Sequence, residues 1–239
     1  MQKIRLVVAG ALGRMGRPVV DLARRDARFQ VVAGVTRERT TTPSYIPLLT
    51  DRHLARALKE SDVLIDFTNP KAAIDHLQAC ARFGKAAVVG TTGLTDKDLK
   101  RVAALARRIP IFLSPNMSPA MNLLFALVRE ASAALKHYDA HIHEAHHRNK
   151  KDAPSGTALL LARMAKEGSG RLPSITSSRI GDIVGEHTLV LAGPYERLEL
   201  THRAHSREVF ASGALEAAVW VNHRKPGLYD FSDIMHLGA

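Results

Sequence analysis

Residues 3–25 read KIRLVVAGALGRMGRPVVDLARR. The first part, rich in Val, Ile and Leu, is a strand pattern. The last part has helical spacing, with Val19, Val20, Leu22 and Ala23 apolar. Between them Gly10, Gly13 and Gly16 are spaced G-x-x-G-x-x-G. A strand, a glycine-rich turn and a helix in immediate succession suit a bound dinucleotide. One glycine makes the tight turn, another lets the backbone approach a pyrophosphate, and a third lets the helix pack closely on the sheet. The helix N-terminus adds backbone N–H groups and partial positive charge. Gly10, Ala11, Leu12, Gly13, Arg14 and Met15 are therefore expected to line a cofactor site.

The end of the second strand, FQVVAGVT, is where such folds select between cofactors. A carboxylate there binds the ribose hydroxyls of NAD. This chain has Thr36 followed by Arg37, Glu38 and Arg39. Thr36 in place of an acid, with the Arg37 guanidinium beside it, favours the 2′-phosphate of NADPH. NADH stays open as a second cofactor through Glu38.

Further short apolar strands, DVLIDFT, AAVVGTTG and IPIFLSPN, alternate with amphipathic helices. Asn69-Pro70 reads as an N-cap and first helical residue, and Thr95 with Asp98 as a capping box. That alternation predicts an α/β fold, a Rossmann-type doubly wound parallel sheet. Ligands in such sheets bind beyond the carboxyl ends of the strands. Gly90, Thr91 and Thr92 end the fourth of these strands, and Ser114, Pro115, Asn116 and Met117 end the fifth. Both loops are expected around the nicotinamide.

After Ser118 the texture changes. DAHIHEAHH, GEHTLVLAG and ERLELTHRA alternate polar and apolar residues, as in an antiparallel sheet with one wet face. REVFASGALEAAVWV is helical again. The expectation is an inserted α+β domain over residues 118–206 on a mostly antiparallel sheet. Residues 1–117 and 207–239 then form the nucleotide domain.

The 239 residues are 46% hydrophobic, enough for a substantial core. No apolar run approaches the ~20 residues of a membrane-spanning helix. The basic-then-apolar N-terminus is too short for a signal peptide and reads as a strand. Cys80 is the only cysteine, which fits a reducing, cytoplasmic setting, and its place in a helical pattern makes it a buried thiol. The formal net charge is +11, but the cations are spread along the chain and aromatics are only 5%. Small anionic ligands explain that charge better than nucleic acid does.

His143-Glu144-Ala145-His146-His147 matches the zinc-protease pattern H-E-x-x-H. That mechanism needs a helix, where residues i and i+4 share a face. The alternation in DAHIHEAHH predicts a strand, on which His143 and His147 lie ~13 Å apart. A zinc hydrolase is thus the runner-up, hanging on helix against strand. The other reading is acid–base chemistry. HHRNKKDAPSGTA puts two imidazoles and several cations just before a helix capped by Ser155. Histidine exchanges protons near neutral pH, lysine donates them or holds a carboxylate, and the helix start cradles an anion.

In order along the chain, GxxGRMG, DFT at Asp66 to Thr68, GTTG, EAHHRxKxDAPSGTA, GDIVGEHT and SRxxFAxGAL resemble the 4-hydroxy-tetrahydrodipicolinate reductase family. The resemblance covers essentially the whole chain. It implies reduction by NADPH or NADH of a small cyclic dicarboxylate to tetrahydrodipicolinate in the diaminopimelate route to lysine, in a homotetramer, without nucleic-acid or membrane partners. By the resemblance His146 is the acid/base residue and Lys150 the proton donor, while His147, Gly156 and Thr157 bind substrate carboxylate. The inserted domain then carries substrate binding and oligomerisation. Thr36 departs from the acidic residue often found there, which favours NADPH. A non-catalytic alternative, a dinucleotide-sensing or nucleic-acid-binding protein, would have no need of His146 and Lys150 together.

Overall fold

The computed structural model describes residues 2–38 and 44–236. Arg39, expected near the cofactor selector, lies outside the described residues. The chain divides into two compact units. One holds the residues up to Met117 and from Phe210 onward, and the other runs from Ser118 to Val209.

In the first unit β1 (Ile4–Ala9) leads into α1 (Gly16–Arg25) and β2 (Phe29–Thr36). β3 (Leu48–Thr50), a 3-10 turn (Asp51–His53) and α2 (Leu54–Lys59) follow. Next come β4 (Val63–Asp66), α3 (Pro70–Phe83), β5 (Ala86–Val89), α4 (Asp96–Ala106) and β6 (Pro110–Leu113). The predicted caps form. The Asn69 side chain accepts from Ala72 N–H, and Thr95 and Asp98 make a reciprocal capping box.

The strands build one parallel sheet in the order β11-β6-β5-β4-β1-β2-β3, where β11 is Gly227–Tyr229. β3 and β11 were not expected. Each is three residues long, below the length at which periodicity is readable. Chain order reverses between β1 and β4, so the ends of these two neighbours form the topological switch point.

Successive residues of β1 bury into opposite faces. Leu6 and Val8 pack with α1 and with α7 (Glu208–Val221), whereas Val7 and Ala9 pack with α2, α3 and α4. All four residues of β4 and of β5 are buried, as central strands covered on both sides must be. Phe112 meets Trp220 and Phe231 edge-on at 6.3 and 5.0 Å between ring centroids, so the C-terminal segment closes this core. Cutting such a buried ring back to alanine typically costs about 3–5 kcal/mol.

The second unit contains α5 (Pro119–Ala134), β7 (Asp139–His146), α6 (Gly156–Ser169), β8 (Ser174–Arg179), β9 (Gly185–Ala192) and β10 (Arg197–Ala204). Its sheet runs β10-β9-β7-β8, antiparallel except for the parallel β7–β8 pair. β8 also went unrecognised, because SITSSR carries one apolar residue and reads as a loop. α5 and α6 cover one face with Leu124, Val128, Leu161 and Ala165 over Ile142 and Leu189. On β7, His141 and His143 alternate with Ile142; they meet the β8 hydroxyls of Ser174 and Thr176.

Candidate active site

The first unit places its expected cofactor residues at the carboxyl ends of parallel strands. Gly10 follows β1 at φ 76°, and a Cβ there would lie 2.8 Å from the Phe67 carbonyl oxygen. A Cβ on Gly16 would lie 2.1 Å from the Gly10 carbonyl oxygen, so only glycine lets α1 start this close to the turn. Ala11 is buried, and Leu12, Gly13 and Arg14 complete the turn. Met15 stands at the N-cap without a side-chain cap bond, leaving the start of α1 suited to an anion. This tight turn against an uncapped helix start fits a dinucleotide pyrophosphate.

A cavity of about 800 Å³ opens beside it, lined by Gly10, Thr36, Arg37, Asp51, Arg52, Thr68, Asn69, Lys71 and His76 among others. The Thr36 hydroxyl donates to the carbonyls of Glu38 (2.8 Å) and Leu49 (3.3 Å), which ties down the end of β2. Gly90, Thr91 and Thr92 follow β5; a Cβ at Gly90 would collide with the Phe67 ring at 2.2 Å. Of the loop after β6, the Ser114 hydroxyl turns back to the Asn116 carbonyl (2.7 Å), Pro115 sits between them, and Met117 is core.

One network beneath these turns was not anticipated. The buried Asp66 carboxylate at the end of β4 accepts from Thr68 N–H (2.9 Å), Thr68 O–H (2.7 Å) and Thr91 O–H (2.9 Å). Nδ1 of His76 lies 2.6 Å from its other oxygen.

In the second unit, β7 is a strand ending at His146, and this corrects the zinc reading. His143 and His147 are not one helical turn apart, and Nδ1 of His143 contacts the Thr176 hydroxyl at 3.1 Å. What the strand does is put Glu144 and His146, two residues apart, on one buried face. Nδ1 of His146 lies 2.5 Å from Glu144 Oε2. Register supplies the rest: His187 on β9 pairs opposite Glu144, and Arg179 on β8 pairs with His146.

The Arg179 guanidinium grips both Glu144 oxygens at 3.0 and 2.8 Å. Ser155 N–H donates to Glu144 Oε1 (3.2 Å), and the Ser155 hydroxyl, which caps α6 by accepting from Ala158 N–H, contacts His187 Nε2 at 3.1 Å. One carboxylate thereby joins the imidazole to the helix start. Gly156 and Thr157 open α6, with open space where a Gly156 side chain would stand. His147 follows β7, and in the next turn Lys150 Nζ pairs with Asp152 at 2.8 Å.

The charges follow from these contacts. Burial would push the Glu144 carboxyl up, but Arg179, Ser177 and His146 outweigh it and hold it at about 2. Burial lowers His146 below the ordinary imidazole value, only partly offset by Glu144. Burial and the neighbouring His146 bring His187 down to about 3. Both imidazoles are therefore neutral at pH 7, and His146 donates its Nδ1 hydrogen to Glu144 and keeps a lone pair on Nε2. Glu144, His146 and His187 bring ligand-type atoms within 4.8 Å of one another. Both Glu144 oxygens are already engaged by the Arg179 guanidinium. Arg179 and His187 were missed as site residues because neither is near His146 in sequence; the His in GDIVGEHT was the available signal.

Two family domains match the chain: "Dihydrodipicolinate reductase, N-terminus" over residues 4–117 and "Dihydrodipicolinate reductase, C-terminus" over residues 120–235. A 4-hydroxy-tetrahydrodipicolinate reductase of Anaeromyxobacter dehalogenans is 41% identical over 266 aligned positions, covering 98% of each chain. One from Aquifex aeolicus is 40% identical over 269 positions, covering 98% of this chain and 99% of that one. Among solved structures, a dipicolinate-bound dihydrodipicolinate reductase from Paenisporosarcina sp. TG-14 superposes with TM-score 0.86 at 24% identity, covering 98% of this chain and all of the other. The fold, the strand that ends at His146 and these relatives converge: the chain belongs to the dihydrodipicolinate reductase family of oxidoreductases.

Proposed function

We propose that this chain reduces 4-hydroxy-tetrahydrodipicolinate to tetrahydrodipicolinate, consuming one reduced nicotinamide cofactor and one proton and releasing water. The observation that carries this reading is the Glu144 carboxylate, which holds Nδ1 of His146 at 2.5 Å and Ser155 N–H of the α6 N-cap at 3.2 Å. A proton-handling imidazole and an anion-binding helix start share one anchor, as a substrate carrying carboxylates beside a reacting ring requires.

The nicotinamide, when bound, supplies the hydride. The protein supplies position and protons. The start of α6 at Gly156 and Thr157 holds a substrate carboxylate, with His147 beside it. The Lys150 ammonium delivers the proton that quenches carbanion character on the ring, and His146 accepts and returns protons through Nε2. Glu144 keeps Nδ1 of His146 protonated, so that Nε2 is the working atom.

NADPH is the preferred cofactor in this reading. Support comes from Arg37, Arg52 and Lys71 on the cavity wall, three cations suited to a 2′-phosphate. We further infer a homotetramer in the cytoplasm. The support is the row of polar side chains on the second unit's sheet, where Thr188 meets Thr201 at 3.0 Å beside His141 and His143. The single buried cysteine fits a reducing compartment. The test is NADPH oxidation on adding freshly made product of the preceding synthase. Rapid turnover is expected, with the protein sedimenting as four subunits; no oxidation would overturn the assignment.

A further inference from the structure

The imidazole of His76 is buried between two acids. Nδ1 lies 2.6 Å from Asp66 Oδ2 and Nε2 lies 3.2 Å from Asp51 Oδ1. Ionised carboxylates only accept hydrogen bonds. Both ring nitrogens must therefore donate, and the ring that satisfies both is the imidazolium. Its two partners belong to different turns. Asp66 staples the turns after β4 and β5 through Thr68 and Thr91. Asp51 begins the 3-10 turn after β3, and Asp51, Arg52, Thr68 and His76 all line the 800 Å³ cavity.

From this geometry we propose that His76 is a positioning residue of the dinucleotide site, an imidazolium latch that holds the Asp51–Arg52 wall against the Asp66 turns and releases it when deprotonated. The proposal rests on the reading of this cavity as the cofactor site. Loss of one proton leaves Nδ1–H on Asp66, the shorter and fully buried contact. Nε2 then turns a lone pair toward Asp51, whose side chain is 48% exposed and lets go. The acids on the ring are Asp66 from β4 and Asp51 from the 3-10 turn, and Arg52, Lys71, Asp75 and Arg82 line the same cavity. The Cys80 thiol one turn along α3 stays neutral, since burial and Asp66 push it up. Burial opposes the charge on His76, but the two carboxylates outweigh it and raise its pKa. The latch is closed below the ordinary imidazole range and opens as pH rises through the raised value.

Titrating the full-length protein with NADH by calorimetry from pH 6.5 to 9 tests this, because NADH lacks a 2′-phosphate that would itself titrate. In the wild type the Kd is expected to rise about fivefold with pH, the upper size of a half-exposed charge pair. In Asp51→Asn the amide can donate to a neutral ring, so the Kd should be flat over that range. His76→Gln, which cannot titrate, should also be flat, and a merely structural histidine would shift melting without this difference in profile. Parallel profiles in wild type and Asp51→Asn, or a flat wild type, would overturn the latch alone. Absence of binding of both NADH and NADPH at every pH would overturn the cofactor reading and the latch with it.

Discussion

Oε2 of Glu144 lies 2.5 Å from Nδ1 of His146, and the same carboxylate is gripped by Arg179 through both of its oxygens. Glu144 is fully buried. A single acid thus sets the tautomer of the imidazole and neutralises the half-buried Arg179 guanidinium, which otherwise has only backbone carbonyls as partners. Glu144→Gln keeps the shape and removes the charge. Breaking a buried pair costs about 3–5 kcal/mol, so urea unfolding should shift to markedly lower denaturant. The kcat should fall tenfold or more, a part of the ~10²–10⁴-fold that positioned proton transfer is worth. NADH affinity should be unchanged. A variant as active and as stable as the wild type would show that the 2.5 Å contact has no role.

The two adjacent histidines should separate kinetically. His146→Gln removes the proton-handling atom and should lower kcat on the order of 100-fold with little change in cofactor affinity. Lys150→Met should do the same. His147→Gln removes a contact made in ground and transition states alike, so KM should rise while kcat changes less. The reverse pattern would swap the roles within the pair. Wild-type rates in all three would remove this loop from the active site.

Acid should destabilise the protein early. In the unfolded chain an imidazole binds its proton near pH 6.5, but folded His187 does so only at about 3. Between these values the unfolded state binds more protons, so stability falls as pH falls, by about 1.4 kcal/mol per pH unit for this group. His146 and His202, also lowered by burial, act in the same direction. Glu144, held at about 2, adds its loss lower down, from the ordinary carboxylate range toward pH 2. Urea midpoints at pH 7, 6 and 5 should fall steadily, and less steeply in His187→Gln. A midpoint constant from pH 7 to 5 would contradict the buried neutral imidazoles.

Arg37 lines the cavity at the end of β2. Arg37→Ala should weaken NADPH binding about tenfold and NADH binding little, since a charge-assisted contact to phosphate is worth ~1.5–3 kcal/mol. Equal losses in calorimetric titrations with both cofactors would show that Arg37 does not read the 2′-phosphate.

Gly16→Ala puts a methyl 2.1 Å from the Gly10 carbonyl oxygen, backbone that cannot swing aside. Helix α1 must then move off the sheet. Dinucleotide binding should fall at least tenfold and the Tm should drop by several degrees, as overpacking of ~1–3 kcal/mol implies. Unchanged binding of both cofactors would place the pyrophosphate elsewhere.

The elements legible in the sequence are those whose information is local. The glycine turn between Ala9 and Arg17, the caps at Asn69, Thr95 and Ser155, and the alternation through β7 each depend on residues within a few positions of one another. The same alternation points to a strand through His143, but a helix there stays open until the structure shows β7 running from Asp139 to His146. β3, β8 and β11 were illegible for the opposite reason. Three residues of LLT or GLY, or the polar run SITSSR, become strands only because a neighbouring edge offers hydrogen bonds. The chemistry around His146 follows the same division. His146, His147 and Lys150 stand together in sequence, but Arg179 reaches Glu144 across 35 residues and His187 reaches Ser155 across 32. The Asp66–His76–Asp51 chain likewise joins residues 10 and 25 apart. The sequence determined which groups could handle protons and where a dinucleotide could lie. Only strand register and helix packing decided which acids and cations stand against those groups, because a side chain's charge state depends on neighbours that the chain brings together only when folded.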